Sequence, residues 1–137
     1  MNSRQTKALQ ALIELQIRSE TELKASDLAA ILKLSRDSVH QLLLPLVRQG
    51  WVVAGRGRTG GYRVAPRALG VPVLSVLGLF SRDGAPLSGR GDPSLPQAIR
   101  QLDREACEAY RRILFSVTIG GLADRARAER EMPTYSI

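Results

Sequence analysis

Few side chains in this sequence could carry out chemistry on a substrate. His40 is the only histidine and Cys107 the only cysteine. A lone histidine with no second histidine or cysteine nearby cannot build a metal site, and no serine–histidine–aspartate set accompanies it. Paired carboxylates and an activated nucleophile are not recognisable either. The sequence therefore argues against an enzyme.

A glycine-rich segment raises a second possibility, nucleotide binding. Gly55, Gly57 and Gly60 have the G-x-G-x-x-G spacing of the dinucleotide-binding fingerprint and follow a plausible strand. That fingerprint needs a helix that opens at the third glycine and faces a pyrophosphate. Here the third glycine precedes an alternating, strand-like run that stops at Pro66. Because no βαβ unit surrounds it, the segment does not predict a dinucleotide site.

The same segment is better explained as a β-hairpin with a positively charged tip. Residues 51–54 and 62–64 suit two short strands, and the loop between them carries Arg56 and Arg58 but no carboxylate. Arginines on such a loop can meet phosphates or a DNA minor groove.

Two helices joined by a short turn precede this hairpin. Ser26 is the expected N-cap of a helix over residues 27–32, and Lys33–Leu34 is a turn of the length that helix-turn-helix units use. Ser35 then caps a helix over residues 36–49. Two such helices followed by a hairpin predict a winged helix-turn-helix.

Other features delimit this unit. An amphipathic helix is expected over residues 4–18, before the helix-turn-helix. Gly50 is a natural residue to end the helix over 36–49. Pro45 predicts a kink or early unwinding of that helix, because proline removes one backbone hydrogen bond and clashes with the preceding turn.

The two faces of the helix over 36–49 differ in polarity. Its apolar residues recur at spacings of three and four and should pack on the preceding helices, whereas its early polar residues lie outside. A recognition helix places such residues against base edges in the major groove. Arg36 could bind guanine and Gln41 adenine, each through two hydrogen bonds. For His40, DNA contact is favoured over a titration switch, and some of these side chains could equally be ordinary solvated residues.

The candidate DNA contacts come from the recognition helix and the wing. They are Ser35, Arg36, Ser38, His40, Gln41, Arg56, Arg58, Thr59, Tyr62 and Arg63.

The charge distribution supports a polyanionic partner. The net charge is +7, and residues 1–82 carry the whole excess while residues 83–137 are balanced. No acidic residue occurs between Asp37 and Asp83, a stretch that contains five arginines before Arg82. A basic face that serves only solubility is the alternative, but clustering in one motif favours nucleic acid.

The second half of the chain predicts three more elements. Residues 71–80 suit a short apolar helix that packs on the first helix, with Pro72 tolerated in its first turn. Residues 81–95 are rich in glycine and proline and read as a linker. Ser94 and Gln97 have capping-box spacing for a long helix that runs to about Phe115. Thr118 is a possible N-cap for a final helix.

The long helix carries a narrow apolar seam at steps of three and four. Its residues are Ile99, Leu102, Ala106, Ala109 and Ile113. Such a seam suits pairing with a second helix, and the alanines permit close approach. The alternative is that the helix packs on its own domain, but readers of DNA half-sites usually dimerise. The expected fold is mainly α with a small two-stranded β wing. It divides into a winged helix-turn-helix domain (1–80), a linker loop (81–95), and a dimerisation helix with a C-terminal helix (96–137).

The compartment can also be anticipated. No apolar run approaches the ~18 residues that a membrane span needs, and no apolar signal core follows the first residues. A single cysteine excludes an internal disulfide framework. We therefore expect a cytoplasmic protein with no membrane contact.

With these motifs in place, the sequence resembles the Rrf2 family of bacterial winged-helix transcription regulators. The match is densest over residues 25–66, and it extends to the long helix and the final helix. Its motifs are Ser35 with Gln41-Leu42-Leu43 and Leu46, then Gly50-Trp51-Val52, Gly60-Gly61-Tyr62-Arg63-Val64-Ala65, and Val117-Thr118-Ile119 with Leu122-Ala123-Asp124. The resemblance implies a dimer whose long helices cross and whose wings and recognition helices meet two half-sites.

Two departures from the family pattern matter. Many members carry an acidic residue where this chain has His40, so their base preference does not transfer to this position. Cluster-binding members have three cysteines in and around the loop before the long helix, whereas residues 81–96 contain none. Because an iron–sulfur cluster normally needs four ligands, mostly thiolates, we expect no cofactor. Cys107 should be a packed, inert thiol rather than a redox sensor.

These observations predict a sequence-specific DNA-binding transcriptional regulator. We expect a repressor that acts as a homodimer on an inverted-repeat operator in double-stranded DNA. The alternative is an interaction module of the same fold that regulates a partner protein through the long helix. Measuring whether duplex DNA binds at all separates the two.

Overall fold

The computed structural model describes residues 1–55, 60–81 and 92–132. These ranges contain six α-helices, one two-stranded sheet and a 3-10 turn. In chain order they are α1 (Ser3–Ile17), α2 (Ala25–Leu32), α3 (Arg36–Arg48), β1 (Val52–Ala54), β2 (Tyr62–Val64), the 3-10 turn (Pro66–Gly70), α4 (Val73–Leu79), α5 (Gln97–Ser116) and α6 (Ile119–Glu131). The predicted mainly α fold with a two-stranded wing is confirmed.

Side-chain caps explain where three of the helices begin. Asn2 and Gln5 form a reciprocal capping box at the start of α1. The Ser35 hydroxyl accepts a hydrogen bond from the Ser38 amide at 3.1 Å, which confirms the predicted cap of α3. The Thr118 hydroxyl accepts from the Gly121 amide at 3.0 Å and caps α6 in the same way. Each cap satisfies an amide that has no partner inside the helix.

Two predicted caps are wrong. Helix α2 begins earlier than expected, after Lys24, whose amide donates to the Asp27 carboxylate at 3.1 Å. Ser26 therefore lies inside the helix. Helix α5 begins after Pro96, and the amide and hydroxyl of Ser94 are instead engaged by the Asp92 carboxylate at 2.9 and 2.6 Å. Those two bonds lower the pKa of the Asp92 carboxyl.

The connection between α2 and α3 is tight. Lys33 adopts the left-handed conformation with φ of 56°, which turns the chain within two residues. The predicted early unwinding at Pro45 is wrong, because α3 continues to Arg48. Leu43 and Leu46 on either side of the proline are fully buried, and their packing holds the helix together.

Two physical reasons favour glycine at position 50, just after the end of α3. Its φ of +74° lies in the left-handed region that favours glycine. In addition, the Arg67 guanidinium, which donates to the Gln49 carbonyl at 3.2 Å, occupies the space that a side chain at position 50 would need.

The wing is an antiparallel pair in which Val52 faces Val64 and Ala54 faces Tyr62. An isolated bridge joins Tyr62 to Leu23, the residue that leads into α2. The wing is therefore hydrogen-bonded to the chain ahead of the helix-turn-helix as well as to itself.

One apolar core joins α1 to nearly all other elements. Its largest fully buried side chains are Leu12, Leu15, Leu28, Leu32, Leu43, Leu46, Leu77, Val39, Val52 and Val76. Helix α4 packs on α1 as predicted, although Pro72 precedes its first turn instead of lying within it. Helix α6 also returns to α1, where the buried Glu14 pairs with Arg130 and, at 3.3 Å, with Arg18. This bond to Glu14 raises the pKa of Arg130.

Helix α5 is the exception to this burial. All twenty of its residues are described, and none of them is buried. It contacts α4, and its half-buried residues are Arg100, Cys107, Ala109, Tyr110 and Leu114. Of these, Leu114 packs against the core. Within the described ranges, no helix is both long and apolar enough to cross a membrane.

Candidate nucleic-acid interface

The start of α3 presents its polar side chains to solvent. Ser35, Arg36, Ser38, His40 and Gln41 are all exposed, whereas Val39 between them is fully buried. This pattern arises because Val39 shares the helix face of the buried leucines. The structure thus groups the five candidate residues of the recognition helix on one exposed surface.

The outward face of α3 continues beyond these residues. Asp37, Gln41, Leu44 and Arg48 recur at steps of four, three and four, and all are exposed. Leu44 is 45% exposed. Leu44 is not among the residues predicted from the sequence, although its position in this repeat, off the apolar face, is a usable signal.

The wing candidates lie in two different situations. Arg56, Arg58 and Thr59 fall outside the described residues. Arg63 is exposed on β2, and Tyr62 is half-buried beside α3.

Tyr62 and His40 contact each other directly. The phenol oxygen lies 2.6 Å from Nδ1 of the imidazole, and the rings are tilted by 59° with centroids 5.9 Å apart. Burial raises the pKa of Tyr62, so its hydroxyl is protonated at neutral pH. The contact engages Nδ1 of His40, and the tautomer of the ring sets which of the two groups donates. Of the His40 ring nitrogens, this leaves Nε2 for another partner. We call this contact the His40–Tyr62 clasp.

The base of the wing is held from its other side as well. The Tyr62 amide donates to the Leu23 carbonyl at 2.7 Å, and the Gly61 amide donates to the Glu22 carboxylate at 3.1 Å. A Cβ at position 61 would come within 2.5 Å of the Leu23 carbonyl oxygen. Only glycine permits this approach, so the wing is set against both the α2 entry and α3.

A cavity of about 300 Å³ lies on the wing side of α3. It is bounded by Arg36 and His40 from α3, Tyr62 from the wing, and Lys24 and Ser26 at the start of α2. Lys24 and Ser26 are not among the site residues predicted from the sequence, because only the fold brings the start of α2 beside the wing. We call this basic cavity the wing-side pocket.

A second cavity of about 430 Å³ lies on the opposite flank of α3. Ser38 and Gln41 bound it on α3, and Ser3, Arg4 and Lys7 bound it on α1. The residues from α1 were also missed by the sequence analysis, since no pattern relates residues 3–7 to residue 38. We call this cavity the α1-side pocket.

The described residues include no group of three or more His, Cys, Asp or Glu side chains that could hold a metal ion. Cys107 is half-buried on α5. What the surface offers instead is a helix with polar side chains, hydrogen-bond donors and positive charge on both flanks. Such a surface complements a polyanion with readable edges.

Comparisons with known proteins agree with this geometry. The Rrf2 family model, described as an iron-dependent transcriptional regulator, matches residues 1–125. A putative HTH-type transcriptional regulator, BadM of Rhodopseudomonas palustris, is 29% identical over 124 residues, which cover 89% of this chain and 80% of BadM.

Solved structures show the same fold. IscR of T. potens superposes with a TM-score of 0.76 at 20% identity, covering 98% of this chain and 93% of that one. CymR of B. subtilis gives a TM-score of 0.75 at 22% identity, covering 91% of this chain and 96% of that one. The family model and the BadM relative are both described as transcriptional regulators. This confirms the expectation that the protein is a regulator and not an enzyme. Because the family model spans most of the chain, the protein belongs to the Rrf2 family of transcriptional regulators.

Proposed function

We propose that this regulator is a homodimeric repressor that places α3 of each protomer in the major groove of an inverted-repeat operator. The observation that carries the proposal is the exposed polar face of α3 between two basic pockets. An α-helix with its side chains is about 10–12 Å across, and the major groove is about 12 Å wide. The face and its flanks thus match a groove and its two rims.

Individual side chains on α3 suit individual base edges. Arg36 can donate two hydrogen bonds to guanine, and Gln41 can both donate to and accept from adenine. Leu44, exposed on the same face, offers an apolar surface for a thymine methyl group. Arg48 in the last turn suits a phosphate.

The exposed apolar side chains of α5 support the proposed dimer. Ile99, Leu102 and Ile113 are 48%, 66% and 63% exposed in the single chain. By helical spacing they lie on a different side of α5 from the half-buried Cys107, Tyr110 and Leu114. Covering such side chains gains about 25 cal/mol per Å² of apolar surface, so this face stabilises a contact with a second helix.

The seam is also nearly symmetric about Ala106. Ile99 and Ile113 lie seven residues to either side of it, with Leu102 and Ala109 between. In an antiparallel pair, each Ile99 would meet the partner's Ile113, and the two Ala106 side chains would meet at the axis. Small side chains at the axis permit close approach, and a two-fold axis matches an inverted repeat.

Repression is the simplest consequence of this arrangement. Half-sites on one face of the duplex are about one helical turn apart or a multiple of it. A dimer bound there covers DNA that a polymerase also needs, so an operator that overlaps a promoter would silence it.

A binding selection from a random duplex pool tests the proposal, followed by affinity titrations at several salt concentrations. The selected sites should be inverted repeats, and six to ten phosphate contacts would lower the affinity by about 10³–10⁵ between about 50 and 200 mM salt. No binding to any duplex would favour the interaction module instead. Asymmetric sites would contradict the dimer, and unchanged expression from a promoter carrying the selected site would contradict repression.

We also propose that the chain works without an iron–sulfur cluster. Clusters normally take four protein ligands, mostly thiolates, and this chain has one cysteine, which is half-buried on α5. The donor set does not fit a cluster. Protein purified without oxygen should be colourless and free of iron and sulfide, as visible absorbance and metal analysis would show. A brown protein with stoichiometric iron would contradict this proposal.

A further inference from the structure

The α1-side pocket has the chemistry of an anion site. Arg4 and Lys7 supply positive charge, Ser3 and Ser38 supply hydroxyls, and none of the described residues that line the pocket is acidic. The pocket combines residues from the first turns of α1 with residues from the groove-facing half of α3. It therefore lies beside the base-reading surface, not on a remote face.

Both cations are held in place without being neutralised. The Lys7 ammonium donates to the Leu32 carbonyl, the last residue of α2, at 2.6 Å, which leaves two of its three donors free. The Arg4 guanidinium lies 5.4 Å from the centroid of the Phe80 ring. In the described part of the chain, Arg4 makes no side-chain hydrogen bond or ion pair, so its donors stay available for an incoming anion.

The geometry of a groove-bound helix identifies this anion. A helix in the major groove has one phosphate strand on each flank, because the groove is scarcely wider than the helix. Arg36 and His40 bound the wing-side pocket on one flank of α3, and Ser38 bounds the α1-side pocket on the other. The two pockets thus face opposite rims of the groove.

We infer that the α1-side pocket binds a backbone phosphate of duplex DNA, on the strand opposite to the one that faces the wing-side pocket. This inference rests on the proposed placement of α3 in the major groove. It assigns to α1 a direct part in DNA binding, with Arg4 as the main contact and Lys7 and the two hydroxyls as supporting donors.

The Arg4→Gln variant tests the inference, with Arg104→Gln as the matched control. Arg104 is an exposed arginine of α5 on the side away from the seam, so the control removes the same charge elsewhere. Losing one phosphate contact should lower the salt slope by about 0.9. The affinity ratio between about 50 and 200 mM salt should then shrink about threefold, equally for operator and random DNA. The control should leave the slope unchanged.

A scan of the operator with neutral methylphosphonates locates the contact. At one or two positions, removing the phosphate charge should weaken the wild type but not Arg4→Gln. These positions should lie on the strand opposite to those found in the same way with Lys24→Gln. An unchanged slope for Arg4→Gln, or sensitive positions on the same strand, would overturn the inference while leaving the proposed function intact. Failure of the wild type to bind any duplex would instead overturn the proposed function.

A separate experiment without DNA tests whether the α1-side pocket binds free phosphate instead of a phosphate of the DNA backbone. Thermal unfolding with millimolar inorganic phosphate should not stabilise the wild type more than Arg4→Gln, because two cations at the surface hold a lone anion weakly. A stabilisation that depends on Arg4, together with an unchanged salt slope, would mean that the pocket serves a small anion, and it would overturn the inference.

Discussion

At the scale of single residues, the candidate DNA contacts differ in what surrounds them. Gln41 is exposed on the outward face of α3, where its amide is free to meet a base. His40 and Tyr62, both candidates from the sequence, are bonded to each other. Because the clasp joins α3 to the wing, we expect these two side chains to position the wing, in addition to any DNA contact that His40 Nε2 makes.

Gln41→Ala should lower the affinity for the selected operator by about 1–3 kcal/mol and relax the preference at one base position. The reason is that a bidentate pair with adenine is lost while phosphate contacts remain. Titrations against the operator and its single-base variants would show this. The control is Gln97→Ala, at an exposed glutamine on the first turn of α5. It should change neither the operator affinity nor the base preference. Equal losses on operator and random DNA would contradict base reading by Gln41.

The clasp should appear as coupling between two substitutions. His40→Ala and Tyr62→Phe each remove the same hydrogen bond, so their combined effect on operator affinity should be smaller than the sum, by about 0.5–1.5 kcal/mol. Urea unfolding of the wild type, the two single variants and the double variant would separate this coupling from a loss of stability. Strict additivity in binding would show that the clasp does not position the wing.

At the scale of elements, the wing is placed by a close backbone approach. Gly61 lies against the Leu23 carbonyl, and Glu22 binds the Gly61 amide. Because Tyr62 also bonds to α3, the β-hairpin, the α2 entry and the recognition helix are arranged as one unit. DNA binding should therefore depend on Gly61, although this residue has no side chain that could contact DNA.

Gly61→Ala should destabilise the protein by about 1–3 kcal/mol, because the added methyl group overpacks against the Leu23 backbone. Operator affinity should fall with it as the wing shifts. Gly78→Ala is the matched control: position 78 lies within α4 with open space around its Cα. That change should raise stability by up to about 1 kcal/mol, since alanine favours helix over glycine. Urea unfolding curves measure both, and equal effects would contradict the close approach.

At the scale of the whole molecule, α1 and α6 pack against each other, whereas no residue of α5 is buried. The ion pair between Glu14 and Arg130 joins α1 to α6. The seam of α5 keeps Ile99, Leu102 and Ile113 exposed in the single chain, and we propose a second copy as the partner that covers them.

Leu102→Asp should convert the protein to a monomer, because it places a charge on each side of an apolar contact. Sedimentation at micromolar concentration would show the change, and operator affinity should fall because the two half-sites are no longer bound together. Phe115→Asp is the control, since Phe115 is 64% exposed but lies off the seam. It should remain a dimer. A dimeric Leu102→Asp protein would move the interface away from α5.

Much of the fold could be read from local sequence. The Ser35 cap, the Gly50 stop and the apolar spacing of α3 are interactions within a few residues, so periodicity and residue type were enough to predict the helix and its outward face. The starts of α2 and α5 were missed because competing caps lay within three residues of each other. The early unwinding at Pro45 does not occur, because burial of Leu43 and Leu46, a tertiary effect, outweighs one lost hydrogen bond. The predicted kink, the other outcome, stays a prediction.

The sequence by itself determined which residues face outward on each element, whereas the tertiary structure decided which outward residues meet. Arg4 and Lys7 lie more than thirty residues before Ser38, and His40 lies well before Tyr62, so no spacing rule connects them. Periodicity specifies a face of a helix but carries no information on the angle at which two helices pack. The two basic pockets and the clasp arise from that packing alone.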